Sequence, residues 1–292
     1  MTHWQPYTQT VAQHTVTGDV RVWKQLYSPQ LHNTRDLLVW LPPGYDTTMA
    51  RYPVVYMHDG QNLFDAFTSY VGEWHADETM TALYAENVAA IIVGIANIGE
   101  ARRSEYTPYD HASPRMPIKA NGERYLDFID ETVKPLIDAS FRTLAAPEST
   151  AIAGSSMGGL ISLYGFLTRP AVYGACGAFS PSFWLADSAI TRHAASLAAR
   201  RPSRGRLYLD IGGREGEVMV RWHGEPDAAA KANAAYLNGV RLLRDALIAG
   251  GYTEGDTLYY VEAPEAAHHE NDWAARLPAA MRWLLAGHLT SG

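Results

Sequence analysis

Short continuous apolar runs recur along the chain and alternate with segments in which apolar residues repeat every three or four positions. Runs of this kind predict strands that are buried on both faces of a sheet. They cover residues 37–41, 53–57, 88–96, 150–153, 174–179, 206–211 and 257–261. The segment 19–27 alternates between apolar and polar residues instead, which predicts an antiparallel strand at an edge of the sheet.

Three further segments have the spacing of amphipathic helices. Their apolar faces consist of Tyr125, Phe128, Ile129, Thr132, Val133 and Leu136, of Leu237, Val240, Leu243 and Leu247, and of Trp273, Leu277, Met281 and Leu284. Pro135 predicts a kink towards the end of the first helix. Because strands alternate with helices, the pattern predicts an α/β fold with a mainly parallel central sheet flanked by helices.

Length and composition indicate a globular protein with a large core. The chain has 292 residues, of which 47% are hydrophobic and 19% are charged, and this balance excludes a disordered protein. No linker, repeat or low-complexity segment divides the sequence. We therefore predict one domain over residues 1–292, with the N-terminal ~35 residues as an edge strand or extension.

Charge and hydropathy restrict the class of partner. The net charge of −7 argues against a nucleic-acid-binding protein, which usually has a basic face. The longest apolar run, near residues 88–95, is too short to cross a bilayer. The N-terminus M-T-H-W-Q-P lacks the charged and apolar stretches of a signal peptide, so we expect a cytoplasmic protein with no membrane partner.

A serine flanked by glycines is the first indication of chemistry. Residues 154–158 read G-S-S-M-G and match G-x-S-x-G, the strand-to-helix turn that exposes a nucleophilic serine. A β-prone run precedes the motif, and an apolar segment rich in small residues follows it. Centring the motif on Ser155 would require glycine at the position of Ala153, so Ser156 is the predicted nucleophile.

The residues that would complete a catalytic triad follow the last two predicted strands. In hydrolases with this turn, an acid follows the serine in the sequence, and a histidine lies after the final strand. His268 and His269 both meet that condition, and the residues alone do not separate them. Glu215 follows a Gly-Gly turn and can point towards the histidine loop, so we favour it as the acid over Asp210 and Glu217.

Two backbone N–H groups are expected to form the oxyanion hole. One belongs to Met157, and the other lies in the loop after strand 53–57, where Gly60 permits close backbone approach. Gly60 or Gln61 is therefore the second predicted donor. His58 and Asp59 lie in the same loop, but no second cluster with metal-ligand spacing accompanies them, so we predict no metal site.

The sequence gives weaker indications of the substrate pocket. Segment 98–122 contains three prolines and has the character of a loop, and its basic residues are Arg102, Arg103, Arg115 and Lys119. It is expected to form one wall of the cleft, with Arg103 contacting the substrate; a solvated loop is the alternative. Phe183 and Trp184 are expected to line an acyl or aromatic pocket, with core packing as the alternative.

Eight short motifs stand in a fixed order along most of the chain. They are L-P-P-G-Y at 41–45, V-Y-M-H-D-G-Q-N-L-F-D at 55–65, G-E-W at 72–74, V-G-I-A-N at 93–97, R-x-x-E-Y-T-P at 102–108, G-S-S-M-G-G at 154–159, S-P-S-F-W at 180–184 and G-G-R-E-G at 212–216. This series resembles the enterochelin-esterase-like "putative esterase" family of α/β-hydrolases. Relatives of that family are S-formylglutathione hydrolases, feruloyl esterases and mycolyltransferases.

The resemblance implies roles for particular residues. The family motif G-H-N-E-x-x-W, aligned on Trp273, places the family histidine on His268, with Ala267 and His269 in place of its glycine and asparagine. The family acid falls on Glu215. The implied protein is a serine carboxylesterase with an α/β-hydrolase fold, which forms an acyl-enzyme on Ser156 and needs no metal or organic cofactor.

The implied substrate is a small-molecule ester. Hydrolysis of a siderophore triester of the enterochelin type or of a feruloyl-type ester is the enzymatic alternative. The alternative from another class is a catalytically silent hydrolase-fold protein that serves as a binding module.

Overall fold

A nine-stranded sheet forms the centre of the molecule. The computed structural model describes residues 3–114, 116–216 and 226–287. The strands are β1 (Gln5–Pro6), β2 (Asp19–Ser28), β3 (Asn33–Leu41), β4 (Val54–His58), β5 (Ile91–Ile95), β6 (His111–Ser113), β7 (Met116–Ile118), β8 (Thr150–Ser155), β9 (Ala175–Phe179), β10 (Arg206–Arg214) and β11 (Leu258–Ala267). The order in the main sheet is β1-β2-β3-β5-β4-β8-β9-β10-β11, and β6 pairs with β7 separately.

Most neighbouring strands run parallel. The block β5-β4-β8-β9-β10-β11 is parallel throughout, whereas β1, β2 and β3 pair antiparallel and β3 joins the block antiparallel to β5. The prediction of a mainly parallel sheet is therefore confirmed. The alternating segment 19–27 is antiparallel as predicted, but the two-residue β1 pairs along its outer side, so β2 is second from the edge.

The described residues form eight α-helices. They are α1 (Ala76–Tyr84), α2 (Arg102–Glu105), α3 (Gly122–Phe128), α4 (Lys134–Ser140), α5 (Met157–Thr168), α6 (Leu185–Arg200), α7 (Pro226–Ala249) and α8 (Glu270–Leu284). All three predicted amphipathic segments are helical. No helix among residues 3–114, 116–216 and 226–287 combines the length and apolar character required to span a bilayer.

The sheet is buried on both faces, because successive side chains of each strand enter two different cores. In β4, Val54 and Tyr56 belong to one hydrophobic cluster, whereas Val55 and Met57 belong to the other. The first cluster includes apolar residues from α3, α5, α6 and α7, and the second includes those of α1 and α8. This two-sided burial explains why the strands appear in the sequence as continuous apolar runs.

The first predicted helix is divided by a wide turn. Between α3 and α4 lies a π-helical turn, Ile129–Val133, and Pro135 stands in the first turn of α4. Proline lacks an N–H and its ring crowds the carbonyl four residues earlier, so a wide turn just before it relieves both constraints. The predicted kink is thus a local change of helix type that leaves Ile129 and Val133 buried.

Segment 98–122 contains regular structure where a loop was expected. It includes α2 and the β6–β7 hairpin. A buried ion pair fastens α2 to the sheet, since Arg35 of β3 donates to both carboxylate oxygens of Glu105 at 2.9 and 3.0 Å. Segment 98–122 therefore has a fixed position relative to the sheet.

The parallel strands place their carboxyl ends at one edge of the sheet. Ser156 follows β8, Glu215 follows β10 and His268 follows β11. The loop that begins at Asp59 follows β4 at the same edge. Residues far apart in the sequence therefore meet where ligands of such sheets usually bind.

Candidate active site

Ser156 lies at a sharp turn between β8 and α5. Its backbone has φ 58° and ψ −122°, a conformation that typically costs a non-glycine residue about 1–3 kcal/mol. Two hydrogen bonds hold it: the Ser156 N–H donates to the Phe179 carbonyl at 2.9 Å, and the Ser156 carbonyl accepts from the Ser182 N–H at 2.9 Å. This strained turn places Ser156 on the wall of a cavity.

The glycine two residues before the serine is required by close packing. A Cβ atom on Gly154 would lie 2.9 Å from Cδ2 of His58 and 3.0 Å from the carbonyl carbon of Gly158. Neither contact leaves room for a methyl group. The spacing G-x-S-x-G therefore reflects the packing of the turn against the end of β4.

His268 contacts Glu215 directly. The ring nitrogen Nδ1 of His268 is paired with Oε2 of the Glu215 carboxylate. The indole of Trp273 packs edge-on against the imidazole, with ring centroids 4.9 Å apart. His268 also lines the cavity that Ser156 lines.

His269 has a different environment from His268. Its Nδ1 accepts a hydrogen bond from the backbone N–H of Asn271 at 3.1 Å and so caps the N-terminus of α8. The two histidines that the sequence left open thus differ in geometry, and only His268 meets the acid.

The Glu215 carboxylate is buried and fully engaged. Its side chain is 0% exposed. Oε1 accepts hydrogen bonds from the Ser180 hydroxyl and from the backbone N–H of Gly212, both at 2.7 Å. Because both oxygens have partners, the orientation that Glu215 presents to His268 is fixed.

A buried ion pair lies behind Ser180. Arg276 donates from Nε to Asp210 at 2.6 Å, and the Ser180 N–H donates to the same carboxylate at 2.8 Å. Arg276 Nη2 and Trp273 Nε1 also donate to the Ser180 hydroxyl, at 3.3 and 3.1 Å. With its oxygen accepting two donors, the Ser180 hydroxyl directs its own hydrogen to Glu215. Asp210, one of the rejected candidates for the acid, therefore belongs to this supporting pair.

The predicted oxyanion donors lie at two chain turns, one at the start of α5 and one after β4. Met157 is the first residue of α5, where a helical N–H has no acceptor within the helix. Gly60 packs so closely on β5 that a Cβ atom would lie 2.5 Å from the carbonyl carbon of Gly94. Gln61 lines the cavity, whereas Gly60 does not appear among the described lining residues.

The loop after β4 is held by charged and aromatic neighbours. Arg102 forms two hydrogen bonds of 2.7 Å with the Asp59 carboxylate, and Asn97 donates to it at 2.7 Å. Burial acts to raise the pKa of Asp59, but Arg102 and Asn97 outweigh burial and hold that pKa below its usual range. Burial lowers the pKa of His58 to about 3, so this ring is neutral at neutral pH.

The cavity has a volume of about 1470 Å³. Segment 98–122 forms one side of it through Glu100, Arg102, Arg103, Pro117 and Lys119, among others. Arg103 lies on this wall, and its contact with substrate stays a prediction. Arg103 has no salt bridge within the described part of the chain, whereas Arg102 is paired with Asp59.

The structure corrects the expectation for Phe183. Its side chain is 6% exposed, belongs to the hydrophobic core and packs against α7, where a Cβ on Gly239 would overlap the ring. Trp184 is half-buried beside His111. Neither aromatic is among the described residues that line the cavity. Glu217 and Arg115, two other candidates, lie outside the described residues.

Sequence reasoning missed the residues that support the predicted acid and base. Ser180, Arg276 and Trp273 were not assigned roles, and neither was Ser182, whose hydroxyl lies 3.1 Å from Oγ of Ser156. The motif S-P-S-F-W at 180–184 was the available signal for the two serines. Nothing in the helical pattern of α8 separates Arg276 from an ordinary surface arginine.

Comparison with known proteins shows the family to which the chain belongs. The family model described as "Putative esterase" matches residues 28–284. The chain belongs to this family. It is therefore an enzyme of the hydrolase class that acts on ester bonds.

Individual relatives agree with that assignment. This esterase is 28% identical to Uncharacterized protein YbbA of Bacillus subtilis over 255 residues, which cover 86% of this chain and 92% of YbbA. It is 29% identical over 212 residues to the Siderophore enterobactin esterase of Emericella nidulans, with 66% of this chain and 68% of the relative covered. The structure of the BES protein from Bacillus cereus matches with a TM-score of 0.70 at 21% identity, covering 94% of this chain and 97% of that one. The solved structures that resemble this esterase have the α/β-hydrolase fold, and this chain shares it.

Replacing Ser180 by alanine is expected to weaken turnover without unfolding the esterase. The change removes the hydroxyl that donates to Glu215, and a hydrogen bond to a charged group is typically worth about 1.5–3 kcal/mol. We therefore expect kcat for p-nitrophenyl butyrate to fall by about 10-fold with KM nearly unchanged.

The matched control is Ser149→Ala, which removes another buried serine hydroxyl, near the amino end of β8. Circular dichroism checks that both variants fold. A wild-type kcat in Ser180→Ala would show that the serine does not support the acid.

Proposed function

We propose that the esterase hydrolyses carboxylic esters through a triad of Ser156, His268 and Glu215. The observation that carries the proposal is the contact of His268 Nδ1 with the buried Glu215 carboxylate, on the wall of the cavity that also contains Ser156. Since Nδ1 is engaged by the acid, Nε2 is the nitrogen that takes the serine proton.

The chemistry follows from these roles. Ser156 Oγ attacks the ester carbonyl while His268 Nε2 takes its proton, and Glu215 stabilises the imidazolium that forms. The imidazolium then protonates the leaving alcohol, which leaves an acyl-enzyme. Water, deprotonated by His268, attacks that ester, and collapse of the second tetrahedral intermediate releases the acid and restores the Ser156 hydroxyl.

The oxyanion of each tetrahedral intermediate would be bound by backbone N–H groups. The Met157 N–H at the start of α5 is favourably placed, since the helix dipole also stabilises negative charge there. The second donor would come from Gly60 or Gln61. Donors fixed in this way are typically worth about 3–4 kcal/mol each in the transition state.

A siderophore triester is the favoured candidate for the natural substrate. The relative from Emericella nidulans is named as an enterobactin esterase. The cavity of about 1470 Å³ is larger than the 300–1,000 Å³ typical of sites for drug-sized molecules, so it has room for a bulky ester. Arg103, which forms no salt bridge among the described residues, could pair with an anionic group of such a substrate.

Hydrolysis of p-nitrophenyl butyrate tests the proposed triad. We expect Ser156→Ala and His268→Ala to lower kcat by 10³-fold or more, since residues of a triad act as a unit. Glu215→Ala should cost less than either variant. The measurement is initial rate against substrate concentration, with folding verified by circular dichroism.

His269→Ala is the matched control, because this neighbouring histidine also lines the cavity but caps α8. It should retain most of the activity. Loss of turnover in His269→Ala together with retention in His268→Ala would contradict the assignment of the base. Absence of turnover in the wild type would favour a binding module.

Arg103→Ala tests whether the cavity recognises a siderophore triester in a way that it does not recognise simpler esters. We expect kcat/KM for a ferric tricatecholate triester to fall by about 10-fold, because one ion pair in a partly desolvated site is worth about 1.4 kcal/mol. The value for the uncharged p-nitrophenyl butyrate should change little. Product formation is followed by chromatography.

Arg124→Ala serves as the control, since Arg124 is exposed on α3 and does not line the cavity. An equal loss on both substrates in Arg103→Ala, or no hydrolysis of the triester by the wild type, would exclude the siderophore assignment while leaving the triad untouched.

A further inference from the structure

Three potential metal ligands converge at the turn that precedes α1. Glu73, His75 and Glu78 each offer one ligand atom, and these atoms all lie within 4.8 Å of one another. His75 Nδ1 is 3.5 Å from Oε2 of Glu73 and 3.7 Å from Oε2 of Glu78. None of the three residues is among those that line the active-site cavity.

Two carboxylate oxygens in this cluster are buried without a hydrogen-bond donor. Glu73 Oε1 and Glu78 Oε2 have no hydrogen-bond partner among the described residues. The side chain of Glu73 is only 2% exposed. A buried carboxylate oxygen that has lost its water and gained no donor is costly, so it requires a cation or a proton.

Further negative charge surrounds the same place. Asp65 and Asp77 are also buried, and Oδ1 of Asp77 has no hydrogen-bond partner in the described part of the chain. No lysine or arginine of residues 3–114, 116–216 and 226–287 forms a salt bridge with Asp65, Glu73, Asp77 or Glu78. Neutral donors from the N-terminal segment satisfy other oxygens of the group: Asp65 accepts from Tyr7 and Thr15, Glu73 from Thr15, and Asp77 and Glu78 from Thr17. Within the described part of the chain, His75 is the only basic side chain paired with these carboxylates.

We propose that Glu73, His75 and Glu78 bind one divalent transition-metal ion, with Zn²⁺ as the best fit. Zn²⁺ binds imidazole nitrogen and carboxylate oxygen at about 2.0–2.2 Å, and ligands at tetrahedral corners then lie about 3.4 Å apart. The observed separations of 3.5 and 3.7 Å match that spacing. A water molecule completes the fourth position, and His75, with a 55% exposed side chain, leaves the ion a path from solvent.

The ion would stabilise the aromatic side chains that pack around His268, the proposed base. Trp74, between two of the ligands, stacks on Trp273 with ring centroids 5.9 Å apart and packs edge-on against Phe179 at 5.0 Å. Trp273 in turn contacts His268 and donates to Ser180. Fixing both neighbours of Trp74 therefore fixes one wall of the aromatic cluster around His268. The E-x-H-x-x-E spacing at 73–78 differs from the H-E-x-x-H motif, so the sequence alone did not indicate this site.

Calorimetric titration with ZnCl₂ tests the site. The esterase is first stripped with EDTA and transferred to chelator-free buffer. We expect one Zn²⁺ per chain, and at least 10-fold weaker binding in His75→Ala and in Glu78→Gln. We also expect Zn²⁺ to raise the melting temperature of the wild type and not that of His75→Ala.

Two histidine variants serve as controls. His193→Ala removes an exposed histidine on α6 and should bind Zn²⁺ like the wild type. His269→Ala should do the same, which separates this site from Zn²⁺ held by the histidines of the active site. Absence of binding would overturn the proposal and leave bound protons to neutralise the cluster. Binding that His75→Ala leaves unchanged would overturn it as well.

Discussion

The ion pair between Asp210 and Arg276 is the contact on which the rest of the candidate site depends. Asp210 is fully buried and Arg276 nearly so, and charges removed from water are tolerated only when geometry and additional hydrogen bonds satisfy them. The additional partners here are the Tyr208 hydroxyl, which donates to Asp210, and the N–H and the hydroxyl of Ser180. Satisfying this pair therefore determines where the Ser180 hydroxyl points, and that hydroxyl fixes Glu215.

This arrangement connects stability to function through a short series of contacts. Asp210 and Arg276 hold Ser180, Ser180 and the Gly212 N–H hold Glu215, and Glu215 holds His268. These members come from three parts of the chain, at residues 180, 210–215 and 268–276, and the parallel sheet brings them to one edge. The strained backbone of Ser156, fixed between Phe179 and Ser182, belongs to the same edge. Pre-organisation of this kind would let the proposed triad act with little rearrangement of the groups around it.

The sequence could predict the features that depend on neighbouring residues, but not those that depend on contacts between distant parts of the chain. The parallel strands, the elbow at Ser156 and the three amphipathic helices all follow from residues close together in the chain. Arg276 and Asp210 lie 66 residues apart, and nothing in either neighbourhood predicts that they meet. Phe183 was misplaced for a related reason, since residue type does not indicate whether an aromatic after β9 turns to the cavity or to α7. The choice between His268 and His269 likewise required either the family pattern or the contact with Glu215.

Covalent labelling by a fluorophosphonate tests the assignment of the nucleophile most directly. Intact mass followed by peptide mapping should show one adduct per chain, located on Ser156, and none in Ser156→Ala. The reaction requires an activated serine, so it reports on the triad independently of any choice of ester substrate. An adduct on Ser155 or Ser182, or no adduct on the folded wild-type protein, would contradict the account.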